Sequence, residues 1–177
     1  MSAADHAAEH ASTARVWLDG ARIWLARFPL SIIQLAMRIA VGAVFLNSGL
    51  LKINSWEFAI KLFQDEYKVP LLDPVWAARL ATFNELTFSV LLIVGLATRI
   101  AILPLLGMVT VIQTFVYPQA WTEHLLWASI LVFLLTRGPG ELSLDYLIER
   151  WVLKQRRLPI GTRPPSQVSR RAATIIL

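Results

Sequence analysis

The stretch R-I-A-V-G-A-V-F-L-N-S-G-L-L-K, residues 38–52, decides the fold of this chain. It is mostly apolar, yet it begins with Arg38 and ends with Lys52. At 3.6 residues per turn, both cations lie on the same helical face as Gly42 and Gly49. Two glycines on one face let a second helix approach closely. The stretch therefore predicts a membrane helix that packs on a neighbour through a face carrying charge.

The composition of the whole chain indicates an integral membrane protein. Of the 177 residues, 56% are hydrophobic and 16% are charged, and the mean hydropathy is +0.55. Soluble domains carry about 25% charged residues. The absence of cysteine excludes disulfides and thiolate metal sites, and with three histidines we predict no metal site. The net charge of +5 comes from residues that flank apolar segments, so we predict no binding to nucleic acid.

Apolar segments long enough for membrane helices recur four times along the chain. The first covers about 33 Å at 1.5 Å per residue, against a hydrocarbon core of about 30 Å. We predict an all-α fold, a four-helix transmembrane bundle forming one membrane domain, with flexible tails over residues 1–14 and 158–177. The predicted transmembrane helices run over residues 30–51, 75–96, 100–116 and 121–136.

Three further segments, residues 15–28, 56–68 and 143–157, have one apolar and one polar helical face. This pattern is typical of amphipathic helices that lie in the membrane interface. For the first segment, a soluble helix packed on the bundle is the alternative. Twelve of the 17 basic residues would lie on the side of the N-terminus and three on the other. The positive-inside rule therefore predicts that both termini are cytoplasmic.

Polar residues inside the predicted spans are costly and are usually paired. If Leu30 and Leu96 lie at one surface, Arg38 is about 12 Å deep and Glu85 about 16 Å deep. We predict that Arg38 and Glu85 pair with each other or face water. They form either a structural ion pair or a protonatable site for a quinone headgroup or proton transfer. The candidate buried polar site comprises Arg38, Asn84, Glu85 and Gln113.

Three more polar residues are candidates near the outer surface. Lys52 either anchors its helix among the headgroups or contacts an anionic headgroup or substrate. We interpret Arg79 as an interface anchor rather than a ligand, and Asn47 as an interhelical hydrogen-bond donor. Because Asn47 projects opposite to Arg38 on the first helix, the two cannot easily face one neighbour.

Three motifs, in this order, resemble the DoxX family of integral membrane proteins. They are residues 38–52, N-E-L-T-F-S-V-L-L-I-V-G-L-A-T-R at residues 84–99, and R-G-P-G-E-L-S-L-D at residues 137–145. The resemblance covers residues 30–145. It implies a four-helix protein of the bacterial inner (cytoplasmic) membrane, in a family linked to redox systems that use quinone.

These observations define three functional hypotheses. The first is a membrane component of a quinone-linked redox system, an oxidoreductase subunit with no covalently bound cofactor and a site around Arg38 and Glu85. The second is a non-enzymatic membrane partner or scaffold that acts in metal or oxidative stress. The third and least favoured is a small-solute transporter. All three place the chain in the lipid bilayer, and we predict a protein partner or a homo-oligomer.

Overall fold

The computed structural model describes residues 15, 17–20, 22–24 and 26–156, without the side chains of residues 155 and 156. Regular structure in these residues is helical, which confirms the predicted all-α fold. The predicted tails lie outside the described residues. Helical residues also occur within 15–26. The helices with defined bounds are α1 (Leu30–Asn54), α2 (Trp56–Leu62), α3 (Pro74–Val94), α4 (Thr98–Val111), α5 (Trp121–Arg137) and α6 (Leu144–Arg156).

Within the described part of the chain, three stretches are long and apolar enough to cross a membrane. They are Leu30–Asn54, Pro74–Val94 and Thr98–Val116. The third continues α4 through a π-helical turn, Ile112–Val116. Helix α5 has 17 residues and falls short of the length of the other three. The chain is thus a helical membrane protein, and the fourth span stays a prediction.

Helices α1 and α3 pack antiparallel through the glycine face of α1. A Cβ atom on Gly42 would lie 2.5 Å from Ile93 Cγ1, and one on Gly49 would lie 2.9 Å from carbons of the Leu86 side chain. Real Cβ atoms do not come so close, so the two glycines set the distance between the helices. The predicted close approach on this face is confirmed.

Apolar side chains from α1, α3, α4 and α5 form the core of the bundle. Each of these helices packs on the next in chain order, and α5 returns to α1. The core is therefore enclosed by four helices that alternate in direction. Its buried members are Val41, Phe45, Leu92, Ile102, Leu105, Val109, Leu131 and Leu134.

The first turn of α6 is fastened to the turn between α3 and α4. The Asp145 carboxylate accepts hydrogen bonds from the backbone N–H groups of Ala97, at 2.7 Å, and Thr98, at 2.9 Å. It thereby satisfies free amides at the start of α4. Ser143 Oγ accepts the N–H of Tyr146 at 3.2 Å, so Ser143 caps α6.

Candidate functional site

Lys52 and Glu85 form a buried ion pair. Lys52 Nζ donates to Glu85 Oε1 at 2.7 Å and to Oε2 at 2.9 Å. It also donates to Ser48 Oγ at 2.8 Å, and that hydroxyl donates to Glu85 Oε1 at 3.1 Å. The side chains of Lys52 and Glu85 are only 10% and 5% exposed. The three ammonium hydrogens thus have partners, and two charges sit together inside the bundle.

The predicted pair between Arg38 and Glu85 is wrong. Arg38 is fully buried, and its guanidinium donates to the carbonyl oxygens of Ile93, at 3.1 Å, and Leu142. It lies against Gly95, where an added Cβ would collide with the guanidinium. Gly95 is ten residues beyond Glu85, or about 15 Å at the rise of an α-helix. Arg38 therefore cannot reach the carboxylate.

A wrong helix register caused this error. The prediction placed Leu30 and Leu96 at one depth, whereas Arg38 is level with the end of α3. Helix α1 therefore extends about two turns beyond α3 at this end. There, Gln34 Nε2 donates to the carbonyl oxygen of Gly138 at 3.0 Å.

The position of Arg38 indicates a structural role. A cation near the last carbonyls of a helix is stabilised by the helix dipole. Arg38 occupies that place at the end of α3 and also holds the loop before α6 through Leu142. We call this region the Arg38 end of the bundle: the start of α1, the α3–α4 turn and residues 138–143.

A cavity of about 550 Å³ lies at the opposite end, which we call the Lys52 end. This end comprises the C-terminus of α1, α2, and the segment between α4 and α5. The cavity lies within the size range of about 300–1,000 Å³ that is typical of small-molecule sites. Its wall is mostly apolar. The polar residues in the wall are Ser48, Lys52, Tyr67, Asn84, Glu85, Tyr117, Glu123 and His124.

Two π-helical turns shape the rim of the cavity. They are Phe63–Tyr67, closed by the bond from Lys68 N to Phe63 O at 3.2 Å, and Ile112–Val116. Each turn ends at or just before a tyrosine, and the rings of Tyr67 and Tyr117 lie 5.8 Å apart in an edge-to-face arrangement. Single π-helical turns are frequent at functional sites.

The tyrosines at the rim are held in the neutral form. Tyr117 Oη donates to Glu66 Oε1 at 2.5 Å. This hydrogen bond, with a smaller contribution from burial, raises the pKa of Tyr117. Burial raises the pKa of Tyr67. Both groups are therefore phenols at neutral pH and can take part in hydrogen bonds with a ligand.

Asn84 contributes an amide to the wall. Its Nδ2 donates to the carbonyl oxygen of Pro104 at 3.1 Å. Its Oδ1 is buried and has no hydrogen-bond partner among the described residues. A buried acceptor without a partner is costly, so this oxygen marks a place where the wall can receive a donor.

Gln113 and His124 form a second polar pair. Gln113 Nε2 donates to the carbonyl oxygen of Pro118 at 2.9 Å, which leaves Oε1 to face His124 Nδ1 at 2.7 Å. His124 is buried and faces the cavity, and its ring lies 5.3 Å from that of Trp127. Gln113 therefore orients the imidazole rather than joining Arg38.

The structure divides the predicted site residues into three groups. Asn84, Glu85 and Lys52 line one cavity, with Gln113 behind His124. Arg38 lies at the other end. Asn47 and Arg79 are exposed on the bundle surface. The guanidinium carbon of Arg79 lies 5.1 Å from the centre of the Trp76 ring, which favours its interpretation as an interface anchor.

Sequence reasoning missed Ser48, Tyr67 and His124 as members of the site. Ser48 lies one helical turn before Lys52, and that spacing was a usable signal. His124 did not enter the predicted site, because three histidines predict no metal site. Nothing in the sequence indicates that its ring faces Gln113, because that contact depends on the π-helical turn.

Comparison with known proteins places the chain among its relatives. Residues 33–118, which include most of α1, all of α3 and α4 and both π-helical turns, match the family described as DoxX. An uncharacterised protein of Haemophilus influenzae is 30% identical over 128 residues, covering 66% of this chain and 83% of that protein. No solved structure matches the chain. The match confirms the predicted resemblance, and this chain belongs to the DoxX family of membrane proteins.

Proposed function

We propose that this protein is a component of a quinone-linked redox system and that the cavity at the Lys52 end is its quinone site. The observation that carries the proposal is the buried Lys52–Glu85 pair in the wall of an otherwise apolar cavity. Burying two charges costs desolvation energy, and a protein does not need them for packing. Buried titratable groups in an apolar cavity are the usual mark of a binding site.

Both the apolar and the polar residues of the cavity wall are suited to binding a quinone. Phe45 and Trp127 offer aromatic rings, 5.9 Å apart and edge to face, against which a flat ring can pack. A quinone supplies reversible electron transfer coupled to protons in a lipid-soluble ring. Glu85 Oε2 has one hydrogen bond, from Lys52, and is an atom on which a proton can be held beside the cavity.

We further propose that the protein crosses the bacterial inner membrane four times with both termini in the cytoplasm. Basic residues of the described chain support this topology: Arg99, Arg137, Arg150 and Lys154 lie at or beyond the Arg38 end. Helix α5 covers about 26 Å at 1.5 Å per residue, and local thinning of the bilayer accommodates so short a span.

The test is purification from native membranes in mild detergent, followed by extraction and measurement of lipid quinone. We expect stoichiometric quinone with the wild type and a marked loss with the Lys52→Met/Glu85→Gln double variant, which removes both charges together. The matched control is Arg79→Gln, which removes an exposed cation outside the cavity. A wild-type protein that carries no quinone but a constant protein partner would contradict the proposal and favour the scaffold hypothesis.

A further inference from the structure

We propose that the cavity at the Lys52 end selects the reduced quinol over the oxidised quinone. This inference rests on the proposed function. The two forms share one ring and one tail but differ in hydrogen bonding. The carbonyl oxygens of a quinone only accept hydrogen bonds, whereas the hydroxyl groups of a quinol donate them. The balance of free donors and free acceptors in the wall therefore decides which form binds more tightly.

Apart from the Tyr67 hydroxyl and the indole N–H of Trp127, the side-chain donors in the wall are already engaged. The three ammonium hydrogens of Lys52 go to Glu85 and Ser48, and the Ser48 hydroxyl donates to Glu85. Asn84 Nδ2 donates to a backbone carbonyl, and Tyr117 Oη donates to Glu66. A quinone carbonyl would have to displace one of these bonds or turn to the Trp127 indole N–H. The Tyr67 hydroxyl can donate or accept, so it does not discriminate between the two forms.

Acceptors in the wall retain free capacity. Asn84 Oδ1 is buried without a partner among the described residues. Glu85 Oε2 accepts one hydrogen bond, and a carboxylate oxygen has room for a second.

His124 adds a third acceptor through its tautomer. Gln113 Oε1 faces His124 Nδ1 because Gln113 Nε2 donates to Pro118. Nδ1 therefore carries the hydrogen, and in the neutral imidazole Nε2 is an acceptor. Since His124 lines the cavity, the acceptors with free capacity come from two different helices, α3 and α5. A ligand that donates hydrogen bonds complements them.

The experiment compares three ligands on the purified protein under anaerobic conditions. They are a benzoquinone with a short alkyl tail, its quinol, and the dimethyl ether of that quinol, which is reduced but cannot donate. Quenching of tryptophan fluorescence reports binding, since Trp127 lines the cavity. We expect the quinol to bind about tenfold more tightly than the other two, as one or two net hydrogen bonds allow.

Substitutions in the cavity wall test whether its acceptor side chains cause the preference for quinol. Asn84→Leu removes the unpartnered acceptor, and we expect it to lose most of the preference for quinol over its dimethyl ether. Asn47→Leu, a change at an exposed asparagine on α1, is the control and should keep the preference. His124→Phe provides a second test if Asn84→Leu does not fold.

The outcomes separate this inference from the proposed function. Equal, saturable binding of all three ligands would overturn the preference and leave the quinone site standing. Tight binding of the quinol that neither Asn84→Leu nor His124→Phe alters would overturn the assignment to these acceptors. Binding of none of the three ligands would overturn both the inference and the proposed function.

Discussion

At the scale of single residues, Lys52 and Glu85 depend on each other. Removing one partner of a buried ion pair leaves an uncompensated charge, at a cost of about 3–5 kcal/mol, whereas replacing both is often neutral. We expect Glu85→Gln alone to lower the free energy of unfolding by about that amount, because Lys52 then stays charged and buried. The Lys52→Met/Glu85→Gln double variant should recover most of the loss.

Denaturant titration in detergent micelles measures these free energies. Arg79→Met is the control, since its cation is exposed, and it should change the free energy of unfolding little. Simple additivity of the Lys52→Met and Glu85→Gln effects in the double variant would contradict the ion pair.

A second expectation at this scale concerns Tyr117. Its hydrogen bond to Glu66 raises its pKa above the ordinary value of about 10. On raising the pH, the unfolded chain loses this proton first. The contribution of the bond to stability is therefore fully present below about pH 10 and is lost at higher pH.

Phenolate absorbance, taken as the difference between wild type and Tyr117→Phe, follows this titration. Glu66→Gln should move the midpoint down towards the ordinary value. Glu57→Gln, at an exposed carboxylate on α2, should leave it unchanged. A midpoint that Glu66→Gln does not move would show that the bond has no effect in solution.

The charged residues of the site could be recognised from the sequence, but their pairing could not. Glu85 was evident because a carboxylate within an apolar run is rare, and Arg38 and Lys52 because they end the glycine face. The choice of partner depends on the antiparallel register of α1 and α3. That register depends on which α3 side chains pack over Gly42 and Gly49. The spacing of residues within α1 cannot predict it.

At the scale of helices, the contact between α1 and α3 depends on Gly49. A Cβ atom there would lie 2.9 Å from Leu86 carbons and 3.1 Å from Glu85 Cβ, so one methyl group pushes the helices apart beside the ion pair. We expect Gly49→Ala to lower the free energy of unfolding by about 1–3 kcal/mol, as overpacking does.

Gly107→Ala is the matched control for Gly49→Ala. A Cβ atom on Gly107 meets nothing within 4 Å, and alanine favours a helix more than glycine does. This variant should therefore be neutral or stabilising in the same denaturant titration. Equal effects of the two substitutions would show that helix propensity, rather than close packing, governs both sites.

The start of a helix could be predicted from the sequence where a capping residue was present. Asp73 caps α3 by accepting the N–H of Val75 at 3.0 Å, as its place before Pro74 predicts. The π-helical turn Ile112–Val116 was not predicted, because no residue type signals an i→i+5 hydrogen bond. This turn lies at the cavity rim and brings Gln113 to His124, which is why the cavity escaped the sequence analysis.

At the scale of the whole molecule, the chain has no cysteine, which makes its topology directly testable. Single cysteines at two exposed positions, Lys61→Cys in α2 and Glu149→Cys in α6, report on opposite ends of the bundle. In spheroplasts the outer face of the inner membrane is accessible to reagents. We therefore expect a membrane-impermeant maleimide to label Lys61→Cys in intact spheroplasts. Glu149→Cys should react only after the membrane is broken.

The same labelling test can contradict the proposed topology. Labelling of Glu149→Cys in intact spheroplasts, with protection of Lys61→Cys, would reverse the orientation. Labelling of both positions would exclude four spans, because Lys61 and Glu149 would then share one side.

The most direct test of the quinone site is photoaffinity labelling with an azido-quinone, followed by peptide mapping of the cross-links. We expect labelled peptides from the cavity wall, around Ser48, Asn84 and Trp127. Excess unlabelled quinone and the Lys52→Met/Glu85→Gln double variant should both reduce the labelling. Cross-links confined to the exposed faces of the bundle, with no competition by unlabelled quinone, would contradict a quinone site at the Lys52 end.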